Sequence, residues 1–315
     1  MPVVNLPGSA LLARLEALRL SVRQVRWGAR LGGRFVVSRR GSSIEFADYL
    51  PYSPGDDIRS IDWKLYARLD RLFVKTYKEE VELTVELIVD ATASMGLPTP
   101  QKFRRACELA LCLASVGFAG RHHVRASWIA PGDRGGTVRA AEEVAQQARA
   151  APRPSATPWF THRADLTRLA QWMSRPAPAG AVTMRPWMQQ TIPALRIRGG
   201  QALLISDWMC PLADAFEALH LLRRKHVEVK VIQVLSPQEL EPARLFRGGV
   251  LIDSETGLTH ELAYSASELT QAVLEHNERL ARFCKRYGMP FAQARADEPL
   301  EEFVLKTLPS RGFLE

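Results

Sequence analysis

Two kinds of hydrophobic pattern alternate along most of the chain. Short apolar runs predict buried strands at residues 83–89, 124–129, 202–206, 227–234 and 290–294. Longer segments, in which apolar residues recur every three or four positions, predict helices at residues 102–118, 140–150, 163–172, 186–195, 213–225, 267–287 and 300–308. Because buried strands that alternate with helices are typical of a mostly parallel sheet covered on both faces, we expect an α/β fold.

The first 80 residues follow a different pattern. Helical spacing after Ser9 predicts an amphipathic helix that packs on the body of the protein, with apolar positions at Leu11, Leu12, Leu15, Leu18, Val22 and Val25. Residues 34–38 and 71–80 resemble strands, and Pro54 and Gly55 predict a turn between them. We therefore expect a basic helix and a small β-containing segment in residues 1–80, followed by the α/β domain in residues 81–315.

Positive charge is concentrated near the N-terminus. The chain has 315 residues and a formal net charge of +8. Within residues 1–43 only Glu16 opposes the arginines, which stand at positions 14, 19, 23, 26, 30, 34, 39 and 40. This asymmetry predicts contact with an acidic surface of a protein partner or, as an alternative, with nucleic acid or an anionic membrane. Aromatic residues are sparse among the arginines, which argues against stacking on bases.

Composition favours a soluble, cytoplasmic protein. The longest apolar stretch, residues 109–119, is shorter than the roughly 20 residues that a membrane-spanning helix needs. The N-terminus lacks the basic-then-apolar pattern of a signal peptide. The four cysteines have no metal-binding spacing and are expected to be reduced thiols.

A group of oxygen-bearing side chains follows two of the predicted strands. Asp90 comes directly after the strand at 83–89, with Thr92 and Ser94 at alternate positions behind it, and Asp207 follows the strand at 202–206. Ligands of open parallel sheets bind beyond the carboxyl ends of the strands, and hard oxygen donors suit Mg²⁺. Each aspartate alone is equally typical of a strand-end turn or a helix cap. Two of them beside two hydroxyls favour a cation site.

The stretch from Asp90 to Ser94 resembles the Asp-x-Ser-x-Ser motif of von Willebrand factor A domains, with Thr92 in place of the first serine. The resemblance implies a metal-ion-dependent adhesion site that holds Mg²⁺, with Mn²⁺ or Ca²⁺ as alternatives. In that fold a threonine and an aspartate from two further loops complete the site. Asp207 matches the aspartate. For the threonine, Thr183 is favoured because it directly precedes the helix that leads to the Asp207 strand, and Thr161 is the competitor.

The segment EFADYLPYSPGDDIRSIDWKLYARLDRLFVKTYKEE, residues 45–80, closely resembles the signature of the bacterial family catalogued as domain of unknown function fifty-eight. Members of that family carry this signature immediately before a von Willebrand A-like domain, and residues 276–308 are similar to the family's ending. Within the signature we expect Asp56, Asp57, Arg59 and Asp62 to make hydrogen bonds in turns and ion pairs that dock the β segment onto the α/β body. We expect Trp63 and Tyr66 to be core residues at that junction.

These features favour a binding module over an enzyme. A cation held by the five oxygen ligands would keep a coordination position for an acidic side chain of a partner protein. Members of the resembled family are often encoded beside MoxR-type AAA+ ATPases, which implies such an ATPase as partner in a chaperone-like or assembly role. The alternative is a Mg²⁺-dependent phosphoryl hydrolase with Asp90 as nucleophile. Thr92 then stands where such an enzyme needs a second carboxylate.

Overall fold

The computed structural model describes residues 4–22, 44–55, 58–79, 83–97, 101–130, 155–197, 199–241, 250–252, 259–261 and 266–315. The strands are β1 (Ile44–Pro51), β2 (Phe73–Glu79), β3 (Thr84–Asp90), β4 (His123–Ile129), β5 (Gln201–Ser206), β6 (Glu228–Leu235), β7 (Val250–Ile252), β8 (Thr259–Glu261) and β9 (Phe291–Arg295). The helices are α1 (Ser9–Leu15), α2 (Trp63–Leu69), α3 (Gln101–Ala119), α4 (Asp165–Met173), α5 (Met184–Ala194), α6 (Leu212–Arg223), α7 (Pro237–Leu240), α8 (Ala266–Arg286), α9 (Leu300–Glu302) and α10 (Leu308–Ser310). The segments Ile58–Ser60 and Ala93–Gly96 are 3₁₀ turns, and a π-helical turn, Phe303–Thr307, joins α9 to α10.

The chain forms two compact units, one of Met1–Arg23 with Leu83–Glu315 and the other of Gln24–Glu82. The larger unit contains a five-stranded sheet in the order β4-β3-β5-β6-β9, in which every neighbouring pair is parallel. The five predicted strands and the mostly parallel sheet are therefore confirmed. Residues 155–160 extend the edge of the sheet by antiparallel bridges from Phe160 to Val124 and from Ala156 to Ser127.

Helices cover both faces of the sheet. Successive residues of a strand point to opposite faces, and each central strand has apolar residues on both faces. On one face Leu87 and Val89 join a core with α3, α4 and the C-terminal helices. On the other face Ile88 and Leu204 join a core with α5, α6 and α8. All six residues of β5 are buried, which explains why the middle of the strand, residues 202–205, is a continuous apolar run and not an alternating one.

The N-terminal segment belongs to the larger unit. Leu15 is fully buried in the core, and Leu20 forms an antiparallel bridge with Leu314. The apolar face of this helix, with Leu11 and Leu15, packs on the α/β body, as its helical spacing predicted. The helix is shorter than predicted: it ends at Leu15, and Val22 is 48% exposed.

The smaller unit is built on a two-stranded antiparallel sheet of β1 and β2. The strand predicted at 71–80 is confirmed as β2, while the strand predicted at 34–38 lies outside the described residues. Asp62 caps α2 by accepting hydrogen bonds from the backbone N–H groups of Lys64 and Leu65. The prediction that Trp63 and Tyr66 are core residues is wrong, because they share one face of α2 and are 59% and 39% exposed.

Some predictions fall on residues that the structure does not describe: the helix at 140–150, Asp56 and Asp57, and the arginines at 23, 26, 30, 34, 39 and 40. Of the remaining basic positions, Arg14 forms an ion pair with Glu301 and Arg19 donates to the carbonyl oxygen of Glu16. The four cysteines are free thiols. Within the described ranges, every helix is too short or too polar to cross a membrane.

Candidate metal site at the carboxyl edge of the sheet

Asp90 and Asp207 lie where the order of the sheet reverses. The chain passes from β3 to β4 on one side and later returns to place β5 on the other side of β3. Ligand sites of doubly wound sheets occur at such a switch point, beyond the carboxyl ends of the strands. Asp90 is the last residue of β3 and Asp207 directly follows β5. The fold therefore brings together two acids that are far apart in sequence.

The Asp90 carboxylate is held by neutral donors. It is 4% exposed, and its Oδ1 atom accepts a hydrogen bond from the Thr92 backbone N–H at 2.9 Å. Its Oδ2 atom accepts a hydrogen bond from the Ser206 hydroxyl at 2.6 Å. Burial, together with the nearby negative charge of Asp207, raises the pKa of Asp90 to about 6 despite these donors. The carboxylate is thus poised for a proton or another cation.

Two hydroxyls of the following turn lie beside each other. The Oγ1 atom of Thr92 and the Oγ atom of Ser94 are 3.0 Å apart. Thr92 is 3% exposed and Ser94 is half-buried, so this side of the site leads towards solvent. Ser94 lies in the 3₁₀ turn that begins directly after Thr92. The predicted grouping of Asp90, Thr92 and Ser94 is what the local geometry produces.

Asp207 is bound to a buried lysine that the sequence analysis did not identify. Lys102, in the first turn of α3, is fully buried, and its Nζ atom donates a hydrogen bond to Asp207 Oδ2 at 2.8 Å. The same ammonium group forms an ion pair with Glu239. Burial alone would lower the pKa of Lys102, but the carboxylates of Asp207 and Glu239 outweigh burial and raise it. Lys102 is therefore a charged group within the candidate site.

Glu239 is fixed by its own helix. Ser236 and Glu239 form a capping box at the start of α7, in which Glu239 Oε2 accepts hydrogen bonds from the Ser236 backbone N–H and hydroxyl, each at 2.8 Å. The remaining oxygen, Oε1, contacts Lys102. The Glu239 side chain is 22% exposed, so Lys102 links the buried Asp207 to a more accessible carboxylate.

The loop before α5 runs alongside the Asp90 turn. Ala93 donates its backbone N–H to the carbonyl oxygen of Gly180 at 2.9 Å, and Ala179 donates to the carbonyl oxygen of Ala91 at 3.0 Å. Thr183 follows three residues later, at the N-terminus of α5, where its side chain is exposed and makes no capping hydrogen bond. Thr183 is thus near this edge of the sheet.

Thr161 lies at the opposite edge. It follows Phe160, which pairs with Val124 near the start of β4. Asp90 pairs with Ile129 at the end of that strand. In a parallel sheet the two ends are separated by the length of the strand. This geometry favours Thr183 over Thr161 as the threonine of the candidate site.

The donor set fits a hard divalent cation. Carboxylate and hydroxyl oxygens are the preferred ligands of Mg²⁺ and Ca²⁺. Asp90 lies close to Asp207, and the ammonium group of Lys102 is paired with Asp207 and Glu239, so these three carboxylates, when ionised, exceed the single ammonium group by two negative charges. Among the described residues there is no cluster of three or more His, Cys, Asp or Glu side chains arranged to hold a metal. The candidate site depends on hydroxyls for its remaining ligands.

The fold is α/β with a mostly parallel five-stranded sheet, as the sequence predicted, and Asp90 and Asp207 lie at the carboxyl edge of this sheet. The family model described as protein of unknown function DUF58 matches residues 48–279, and the chain belongs to this family. Similar curated proteins include uncharacterized proteins of Mycobacterium bovis and Mycobacterium tuberculosis. Each is 28% identical over 308 residues, which covers 96% of this chain and 90% of the relative.

The solved structures that the chain matches include the following two. The conserved hypothetical protein BatB from Bacteroides thetaiotaomicron is 13% identical, and the match covers 73% of this chain and 96% of that chain with a TM-score of 0.38. A von Willebrand factor type A structure from Catenulispora acidiphila is 14% identical, and the match covers 65% of this chain and 44% of that chain with a TM-score of 0.32.

Proposed function

We propose that this protein is a metal-dependent protein-interaction module and not an enzyme. The observation that carries the proposal is the pair Asp90 and Asp207 at the switch point of the sheet, with surplus negative charge and two adjacent hydroxyls. A divalent cation bound there would supply an open coordination position that an acidic side chain of a partner can fill.

The residues that would hold the cation are Asp90, Thr92, Ser94 and Asp207, with Thr183 from the adjacent loop. Mg²⁺ is the proposed ion, and Mn²⁺ and Ca²⁺ have the same preference for oxygen ligands. The half-buried position of Ser94 supports access for a partner from this side.

The proposed partner is a MoxR-type AAA+ ATPase, with this protein as its adaptor in a chaperone-like or assembly role. Membership of the family supports this partner, because the genes of family members are often adjacent to genes for such ATPases. A shared fold does not establish a shared function, so the partner has to be tested directly.

The test combines metal titration with partner capture. Calorimetry should detect Mg²⁺ or Mn²⁺ binding to the wild type, and Asp90→Ala and Asp207→Ala should each lose it. Thr183→Ala should weaken binding, whereas Thr161→Ala, at the opposite edge, is the matched control and should leave it unchanged.

Partner capture uses the MoxR-type ATPase encoded in the same host, with Mg²⁺ or with EDTA. We expect capture by the wild type in Mg²⁺ and its loss in EDTA and in Asp90→Ala. A wild type that binds none of Mg²⁺, Mn²⁺ and Ca²⁺ at millimolar concentration would show that the proposal is wrong.

A further inference from the structure

Lys102 places a permanent positive charge on one of the proposed metal ligands. It is fully buried and donates a hydrogen bond to Asp207 Oδ2 at 2.8 Å. A buried ammonium group needs carboxylate partners, and Lys102 has two of them, in Asp207 and Glu239. The cation closest to Asp207 is therefore part of the chain itself.

We propose that Lys102 is a built-in competitor for the site, which determines how tightly the site binds a divalent cation. This inference rests on the proposed metal-dependent function and adds a regulating residue to it. Lys102 occupies one oxygen of Asp207, and its charge repels a second cation nearby. The site then fills only at a cation concentration that overcomes this repulsion.

Glu239 gives Lys102 an alternative partner. Its Oε1 atom contacts the ammonium group, while its Oε2 atom is fixed by the capping box with Ser236. An ammonium group that contacts two carboxylates can loosen its bond to Asp207 and remain neutralised by Glu239. Glu239 is therefore expected to favour cation binding through Lys102, although it lies on a different loop from the proposed ligands.

A comparison with another basic side chain of α3 shows that the contacts of Lys102 go beyond a role within the helix. Arg104, also in the first turn of this helix, forms an ion pair with Glu108 of the same helix, which supports the helix locally. The partners of Lys102 are 105 and 137 positions away in sequence and belong to the site. A purely helical role does not require those partners.

The test measures Mn²⁺ affinity by electron paramagnetic resonance and calorimetry, with Mg²⁺ as competitor. Lys102→Met retains much of the apolar stem and removes the charge, so the affinity should rise by a factor of about ten or more. Lys102→Gln, which retains a hydrogen-bond donor, should change the affinity in the same direction and serves if the methionine variant does not fold. Lys102→Arg, which retains the charge, should stay close to the wild type.

Glu239→Gln should change the affinity in the opposite direction, since it concentrates the ammonium charge on Asp207. In the Lys102→Met background the same Glu239→Gln change should have a much smaller effect, because Glu239 acts through Lys102. Lys306→Met is the matched control: it removes an exposed lysine paired with Glu302 and should leave the affinity unchanged.

The outcomes separate this inference from the proposed function. If Lys102→Met and Lys102→Gln bind Mn²⁺ equally or more weakly than the wild type, Lys102 is a supporting residue and the inference is overturned. If the wild type binds no ion but Lys102→Met does, the competitor role of Lys102 is supported, and the proposed metal-dependent function of the wild type is refuted. If no variant binds, both proposals fail.

Discussion

Replacing Asp90 by asparagine removes a negative charge from a buried position and keeps the shape of the side chain. The Thr92 backbone N–H can still donate to the remaining carbonyl oxygen. The Ser206 hydroxyl donates to Asp90 Oδ2 in the wild type, so this hydrogen bond reverses when the new amide group donates to the hydroxyl. The change therefore removes the charge of Asp90 and alters one of its hydrogen bonds, an effect that is independent of pH over the range of the assay. We expect the metal-free protein to become more stable at neutral pH.

The magnitude follows from the pKa of Asp90, which burial and the Asp207 charge raise from 3.8 to about 6. A carboxyl group whose pKa is higher in the folded state binds more protons when folded, so its ionisation reduces stability. The free energy of unfolding should fall as the pH rises from about 4 through about 6, by about 3 kcal/mol in total. Asp90→Asn cannot ionise and should lose none of this stability.

The assay is urea unfolding of the wild type and Asp90→Asn in EDTA, at a series of pH values from about 4 to about 8. The free energy of unfolding of the variant relative to the wild type should increase as the pH rises from about 4 through about 6, and should then stay constant up to about pH 8. Asp297→Asn is the control: Arg295 lowers the pKa of this exposed carboxyl group, so any effect should be small and of opposite sign. Parallel pH profiles for the wild type and Asp90→Asn would refute the reasoning.

Two further predictions concern a buried ion pair and catalysis. Arg125→Met should lower the free energy of unfolding by about 3–5 kcal/mol, because it leaves Glu86 buried without its cation. Glu86→Gln in the same background should recover part of this loss. Urea unfolding measures both effects. Phosphate-ester hydrolysis with Mg²⁺ should stay at background, because Thr92 stands where a hydrolase needs a second acid; turnover lost in Asp90→Asn would contradict the binding-module proposal.

The strands and helices of the α/β unit could be predicted because local hydrophobic patterns in the sequence indicate which residues are buried. The strand that ends at Asp90 and the strand that precedes Asp207 are mostly apolar, with Glu86 as the charged exception in β3, and parallel strands of this kind are buried on both faces. Once the sheet was expected, the position of both aspartates at its carboxyl edge followed from the general topology of such folds.

Lys102 could not be found in the same way. A lysine in the first turn of a predicted helix is ordinarily a solvated residue. Its burial depends on partners that lie 105 and 137 positions away, and no local pattern encodes such contacts. The choice between Thr183 and Thr161 was open for a related reason, since it depended on which end of β4 the residues around Phe160 would join.

The exposure of Trp63 and Tyr66 shows the limit of arguments from residue type. Large aromatic residues are buried in most proteins, and that tendency predicted a core position. The cap provided by Asp62 instead starts a short helix on which both rings share one exposed face. Helical register, which composition alone does not reveal, decided the outcome.

The two buried carboxylates on β3 differ in the partners that they contact. Glu86 lies four residues before Asp90, so both side chains point to the same face. Arg125 on the neighbouring strand donates two hydrogen bonds to Glu86, at 2.8 and 2.7 Å, and neutralises it within the sheet. Among the described contacts, Asp90 receives only hydroxyl and amide donors.

The ammonium group of Lys102 is paired with two other carboxylates, Asp207 and Glu239. A structural acid has its own cation, as Glu86 does, because a buried charge without one is costly. Among the described contacts of Asp90 there is no cation, and Asp90 lies at the edge where sheets of this type bind ligands. Such an imbalance suits the uptake of an external cation, as we propose, and in the same proposal Lys102 limits the conditions under which the cation binds.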